Sequence, residues 1–269
     1  MPEESTGAPR VSVLIGCWNN ARTLPQAIDS ILSQTLNELE LIVVDDGSTD
    51  QTPELARAVS DPRLRYLPLE HMGISRSLNE GIRAARGTVI AIQDADDWSL
   101  PERLERELAL LDSRPEVAVV GCRMREVAED GAELRPRTAF AAGEVNRTLM
   151  RFNPIPNSCA AFRRELVLAA GGYDPRYRYA MDYDLWLRLA EDHSVFALDE
   201  VLAVRRMGSG NVAATRERAQ IAETIRIRWE ALRRRRSPRG AGGLLAPAIS
   251  YLTPLPAKRA LRRALNQAP

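Results

Sequence analysis

Five short apolar runs, "VSVLIG" (11–16), "ELELIVV" (38–44), "RLRYLPL" (63–69), "TVIAIQ" (88–93) and "VAVVG" (117–121), alternate with helical patterns through the first half of the chain. Their length and β-branched content make them strands. The segments between them carry helix punctuation. Thr52-Pro53-Glu54 supplies an N-cap, a proline at the first helical position and an early acid; Leu100-Pro101-Glu102 opens a helix to about Asp112 in the same way; Gly87 closes a helix begun near Ile74. This alternation predicts an α/β fold, a mainly parallel sheet flanked by helices, with ligands held at the carboxyl ends of the strands.

Past residue 121 the rhythm changes. "EDGAE" (129–133) reads as a turn between two irregular strands, "GEVNRTLMRF" (143–152) as a short helix and "NSCAAFRRELVLAAGG" (157–172) as a strand running into a helix. A helix over Met181–Asp192, two short strands around Val195 and Val201 and a long basic helix over about 212–236 complete the pattern. The chain of 269 residues carries a net charge of only +1, yet from Arg216 onward 13 Arg or Lys face 3 Glu, which leaves the first 215 residues at about −9. The first ten residues are polar without a basic-then-apolar signal, and no stretch reaches the roughly 18 apolar residues of a membrane span, so a cytoplasmic protein is expected. Cys17, Cys122 and Cys159 lack ligand or disulfide spacing and read as small core residues in a reducing compartment.

Three polar clusters sit where strands end: "CWNN" (17–20), "DDGSTD" (45–50) and "QDADDW" (93–98). In an open α/β sheet these ends converge on one crevice. Asp94, Asp96 and Asp97 must repel one another unless a cation, a helix N-terminus or hydrogen bonds offset the charge, and hard carboxylates followed by a phosphate-bearing ligand suit Mg²⁺ or Mn²⁺. On the residues alone two readings stay open: Asp96 and Asp97 as caps of the helix near Pro101, and "DDGSTD" as turn residues before a capped helix. Further along, helical spacing puts Asp182 on one face with Leu185, Trp186 and Leu189, pointing at the core, and turns Asp184 outward with Arg188 and Glu191. A carboxylate at the head of an apolar stripe is partly desolvated, which raises its proton affinity, while the helix N-terminus opposes that shift.

Three segments, "VSVLIGCWNNARTLPQAIDSILSQTLNELELIVVDDGSTDQT", "GISRSLNEGIRAARGTVIAIQDADDW" and "GGYDPRYRYAMDYDLWLRLAED", resemble in order and spacing the family 2 inverting glycosyltransferases, whose catalytic domain has the GT-A fold. The resemblance spans about residues 10–210 and implies the following. A polar lead (1–10) precedes a nucleotide-sugar-binding half (11–121), an acceptor-side half (122–211) and a basic helical extension (212–269). Cys17, Trp18, Asn19, Asp45, Asp46 and Asn79 belong to the donor site, with Asp45 and Asp46 beside the base and Trp18 where relatives often place an aromatic ring. Asp94 and Asp96 are the acids of the DxD motif, Asp94 near the ribose and Asp96 the ligand of a Mn or Mg ion on the diphosphate. Asp182 aligns with the acid that serves as general base, and Met181 replaces the Glu before it. Met207 falls about where a His is common, and Leu78 where an Arg often precedes Asn79; Arg205 or Arg206 would neutralise the diphosphate.

The implied reaction is displacement with inversion at the anomeric carbon of a nucleotide-diphosphate sugar, a UDP-sugar foremost, by a hydroxyl of a saccharide or lipid-linked acceptor in bacterial cell-surface polysaccharide or glycolipid synthesis. The basic tail suggests peripheral contact with anionic membrane through 226–263 at the inner face of the plasma membrane. Nucleic acid is not an expected partner, because no recognition module accompanies the basic charge. A metal-dependent phosphoryl-transfer enzyme and an inactive nucleotide-binding scaffold are the competing readings.

Overall fold

The run at residue 11 becomes the pivot of the sheet. The computed structural model describes residues 8–134, 140–208 and 217–235; it divides the chain into one unit of residues 1–208 and a second of residues 209–269. In chain order the first unit contains β1 (Val11–Cys17), α1 (Leu24–Leu32), β2 (Leu39–Asp45), α2 (Thr52–Arg57), β3 (Leu64–Pro68), α3 (Ile74–Ala84), β4 (Val89–Asp94), β5 (Trp98–Ser99), α4 (Arg103–Ser113), β6 (Val117–Ala128), β7 (Gly143–Glu144), β8 (Ala160–Arg163), α5 (Arg164–Ala169), α6 (Met181–Leu189) and β9 (Ser194–Met207). The second contains α7 (Glu217–Arg235). The tail beyond 235 and the start of the expected basic helix at 212–216 lie outside the described residues.

The sheet order is β3-β2-β1-β4-β8-β6-β9-β5, with β7 added to β9. The chain leaves β1 in one direction to β2 and β3, then returns to place β4 on the other side of β1, so a topological switch lies between β1 and β4. Strands β1, β2 and β4 are nearly continuous apolar runs because both their faces are covered. Val13, Ile15, Leu41 and Val43 pack with Leu24, Ala27, Ile28 and Ile31 of α1. Each such aliphatic side chain contributes about 1.5–3 kcal/mol relative to exposure.

Register carries the acids to one edge. Cys17 stands opposite Asp45 and Gly16 opposite Asp94, so the polar residues that end β1, β2 and β4 are level. Strand β8 enters antiparallel to both β4 and β6, which makes the second half of the sheet mixed. Since β6 runs parallel to β9, the end of β9 bearing Arg205 and Arg206 comes to the same edge as Asp94. The two short strands expected near Val195 and Val201 are one fourteen-residue strand with register shifts against β6, which absorb its bends. The helix expected over 143–152 is instead the two-residue β7 and a single 3₁₀ turn at Thr148–Met150; the Asn146 side chain binds the backbone of Ala190, His193 and Val195 and holds the segment in loop geometry.

Beneath the acid cluster lies a buried cation. Arg103 is fully buried and donates to Glu107 (3.0 Å), Gln93 Oε1 (3.2 Å), Ser99 Oγ (3.0 Å) and the Ile92 carbonyl (2.9 Å). It ties α4, β4 and β5 into one block. Burial lifts the Glu107 carboxyl to about 7 against the pull of Arg103.

Candidate active site

Asn19 turns the chain after β1 in the left-handed region (φ 55°), a conformation that asparagine tolerates better than most residues. Its Oδ1 accepts the Thr49 N–H (2.8 Å) and its N–H donates to Ser48 Oγ (2.9 Å), so the loop after β1 is fastened to the loop after β2. Asp45 and Asp46 are buried within that junction. Asp45 accepts the Ser48 N–H (2.9 Å) and the Tyr66 hydroxyl (2.5 Å). Asp46 accepts the Met72 N–H (2.8 Å), the Gly73 N–H (3.0 Å) and the Ser77 hydroxyl (2.6 Å), and so sits at the start of α3, where the helix dipole favours an anion. His71 Nδ1 lies 3.0 Å from Asp46 Oδ2, and its ring stacks on Trp18 with centroids 4.9 Å apart. Trp18 is half exposed, a flat apolar face left open beside the Asp45–Asp46 junction by its stacking on His71.

Asp94 ends β4 and Asp96 and Asp97 follow it, one carboxylate oxygen from each lying within 4.8 Å of the others. Burial and the neighbouring Asp96 charge lift Asp94 to about 7; Asp182 adds to the shift, and Arg205 opposes it. Burial also raises Asp96, and burial with the Asp94 and Asp96 charges raises Asp97 well above its usual range. Asp97 is the member tied to the sheet, accepting the Arg206 N–H (3.0 Å), whereas Asp94 and Asp96 retain partial exposure. Three hard oxygen donors crowded until each holds its proton more tightly fit a divalent cation, which would offset the repulsion.

Asp182, in the first turn of α6, belongs to the same electrostatic neighbourhood: it raises both Asp94 and Tyr173, and Arg205 lowers it in turn. Burial lifts its carboxyl to about 6, against hydrogen bonds from the Tyr183 N–H and the Asn153 amide, whose Nδ2 lies 2.9 Å from Asp182 Oδ2. Asp182 remains partly exposed rather than pointing into the core. Asp184, expected to face outward, is buried: Arg188 clamps it at 2.8 Å while also holding the carbonyls of Ala170 and Gly172. The segment leading out of α5 covers that side of α6, so both faces of the helix are enclosed, which a single apolar stripe does not foretell.

The remaining expected residues divide clearly. Arg205 acts on Asp94, Asp96, Asp97 and Asp182. Arg206, next along β9, has its guanidinium 5.2 Å from the Trp98 ring and bonded to Gln26, and its charge joins that of Arg205 in lowering Asp96. Asn79 spends both ends of its amide on Tyr173, donating to its carbonyl and accepting its N–H (each 2.8 Å). Cys17 is buried with its thiol toward the Val44 carbonyl, and its own carbonyl accepts the Asp46 N–H. His71, Tyr66, Ser77, Asn153, Ser158 and Tyr173 also bear on these acids, and sequence reasoning gave none of them a role in the site. Only the polar, proline-spaced "NPIPNS" (153–158) carried a visible hint.

The sequence model of glycosyl transferase family 2 matches residues 12–168. The chain belongs to glycosyl transferase family 2. It is 33% identical over 210 residues, 75% of this chain and 77% of the relative, to the amylovoran biosynthesis glycosyltransferase AmsE of Erwinia amylovora. S. aureus TarS 1-349 in complex with UDP-GlcNAc superposes with a TM-score of 0.69 at 20% identity, covering 83% of this chain and 66% of that one. The mannosyltransferase PcManGT of Pyrobaculum calidifontis, in complex with GDP-Man and Mn²⁺, matches with a TM-score of 0.64 at 25% identity, covering 97% of this chain and 81% of that one. The protein is thus a glycosyltransferase with a GT-A-like sheet, and the phosphoryl-transfer reading falls away.

Proposed function

We propose that the protein transfers a sugar, with inversion, from a nucleoside-diphosphate donor to a hydroxyl of a growing bacterial polysaccharide or lipid-linked saccharide. The observation that carries this reading is the meeting, at one sheet edge, of an acid cluster suited to a cation and a separate carboxylate, Asp182, whose pKa is lifted to about 6. A base of that pKa is ionised at neutral pH yet basic enough to accept a proton as it departs. Asp182 takes the proton from the acceptor hydroxyl; the acceptor oxygen bonds to the anomeric carbon; the bond from that carbon to the diphosphate breaks, and its electron pair leaves with the diphosphate. A Mn²⁺ or Mg²⁺ ion held by Asp96 with Asp94 would take up the charge of the leaving group. Arg205 stands to share it, and Trp18 offers its face to the base above the Asp45–Asp46 junction. Alignment and charge stabilisation do most of the work, with no covalent nucleophile of the protein's own.

AmsE supports polysaccharide synthesis as the setting, and the TarS complex with UDP-GlcNAc and the PcManGT complex with GDP-Man and Mn²⁺ support a nucleotide-sugar donor, the latter with a metal. Among the described residues no helix is long and apolar enough to cross a membrane. Arg218, Arg226, Trp229 and Arg233 are exposed along one face of α7, opposite the buried Ile227 and Ala231, a pattern that supports peripheral contact with an anionic lipid surface. The donor is tested by thermal shift against UDP-, GDP- and dTDP-sugars with and without Mn²⁺. One nucleotide series is expected to stabilise the protein, and only with metal; stabilisation indifferent to metal counts against the reading. Proton NMR of the first-formed product reads the anomeric configuration, and retention would exclude inversion.

A further inference from the structure

One segment, 153–158, reaches both halves of the site. Asn153 donates to Asp182 (2.9 Å), Asn157 accepts the hydroxyl of the buried Tyr173 (2.7 Å), and Ser158 Oγ accepts the Asp94 N–H (3.0 Å). The segment is itself firmly seated. Ile155 is fully buried, its carbonyl accepts the Trp186 indole N–H (3.0 Å) from α6, and Asn153 Oδ1 accepts the Ile155 N–H (3.2 Å). Pro154 and Pro156 fix φ on either side of Ile155. A proline-braced stretch that runs into the 3₁₀ turn at Asn157–Cys159 thus presents an amide to the carboxylate in the first turn of α6.

We propose that Asn153 is a positioning residue for the transfer: it anchors the Asp182 carboxylate by Oδ2, fixing the direction in which that group meets the acceptor hydroxyl and favouring its ionised form. The role rests on the reading of Asp182 as general base. Asp182 raises Asp94 at the end of β4 and Tyr173 before α6, while Arg205 from β9 and the Tyr183 backbone N–H favour its own ionised form. Asp94 and Tyr173 do not donate to it, and among the described residues no carboxylate lies within 4.0 Å of Arg205. Asn153 supplies the neutral side-chain donor in hydrogen-bond contact with this acid. An amide donor favours the anion without bringing a competing charge.

Asn153→Asp isolates the contact. It preserves size and the acceptor for the Ile155 N–H, and replaces the donor to Asp182 with a like charge. Asn153→Ala removes donor and acceptor together, and serves should the aspartate variant fail to fold. The measurement is a carbon-NMR titration of protein labelled at the Asp carboxyl carbons, with the Asp182 signal identified by its loss in Asp182→Asn. The pKa of Asp182 is expected to rise by about half a unit or more in Asn153→Ala and further in Asn153→Asp. Hydrolysis of the sugar nucleotide selected by thermal shift is expected to lose about tenfold or more in kcat, with donor KM changed less than about twofold. An unchanged Asp182 pKa in both variants, or wild-type kcat in Asn153→Asp, overturns the proposal. Retained hydrolysis in Asp182→Asn is a separate outcome, which overturns the general-base reading and this role with it.

Discussion

At the scale of single residues, the site divides into acids that build and acids that are poised. Asp45 and Asp46 have their oxygens engaged by hydroxyls and backbone N–H groups, so their charge is already spent on holding two loops and the start of α3. Asp94, Asp96 and Asp182 are the acids lifted by burial that retain partial exposure. Asp182→Asn is therefore expected to lower kcat by about 10²–10⁴-fold while leaving donor affinity within about twofold, measured by turnover and by titration of the nucleoside diphosphate. The pH dependence has a definite sign. Asp182 works deprotonated and its carboxyl lies at about 6, so kcat is expected to fall as pH drops through about 6 and to level off above it. A rate that stays flat from pH 5 to 8, or about that range, would assign the proton to another group. Sequence placed Asp182 at a helix start and the resemblance gave it a role; the Asn153 contact was not legible, because 29 residues separate the two and only the folded sheet brings them together.

At the scale of elements, the sheet is fixed by polar pins as well as by packing, including at the end of the strands away from the site. Glu40 of β2 is buried where burial alone would raise its pKa, yet the Ser12 hydroxyl (2.6 Å), the Arg86 N–H (2.6 Å) and the Arg65 guanidinium (2.7 Å) together hold it below the ordinary carboxylate range. Such a group stabilises the fold above its unfolded pKa, and that stability is lost as pH falls through its lower folded value. Glu40→Gln is expected to cost about 2 kcal/mol near neutral pH in denaturant titration, the deficit shrinking in acid; a deficit independent of pH would place the loss in shape rather than charge. Gly47, at φ 73°, leaves room that a Cβ would take 2.8 Å from the His71 nitrogen. Gly47→Ala, strained at this φ and against the His71 backbone, is expected to lower folding stability by about 1–2 kcal/mol, displace the Trp18–His71 stack and weaken donor binding several-fold, read by calorimetry. The strands were visible in advance because β1, β2 and β4 are covered on both faces and so are nearly continuous apolar runs, broken within by few polar residues such as Ser12 and Glu40. The second half was harder to read, since β8 has only four residues and β9 bends through register shifts that no period in the sequence announces.

At the scale of the whole molecule, a parallel first half delivers three polar loops to one edge, and an antiparallel entry by β8 lets β9 return Arg205 to that edge from more than a hundred residues away. The second unit carries α7, whose exposed arginines and Trp229 lead to an expectation that is measured by co-sedimentation: binding to vesicles of phosphatidylcholine with phosphatidylglycerol, lost in Trp229→Ala with Arg233→Glu, and weak binding to phosphatidylcholine alone. Equal binding to both vesicles would remove charge as the cause. The account as a whole depends on the acid cluster acting as a cation-bridged seat for a diphosphate. Isothermal calorimetry with UDP, then GDP and dTDP, tests this most directly in the presence of Mn²⁺, in EDTA and in Asp96→Asn. The account predicts that one nucleotide binds with Mn²⁺ and loses about tenfold or more in affinity in both other cases, whereas the same affinity in all three would contradict it.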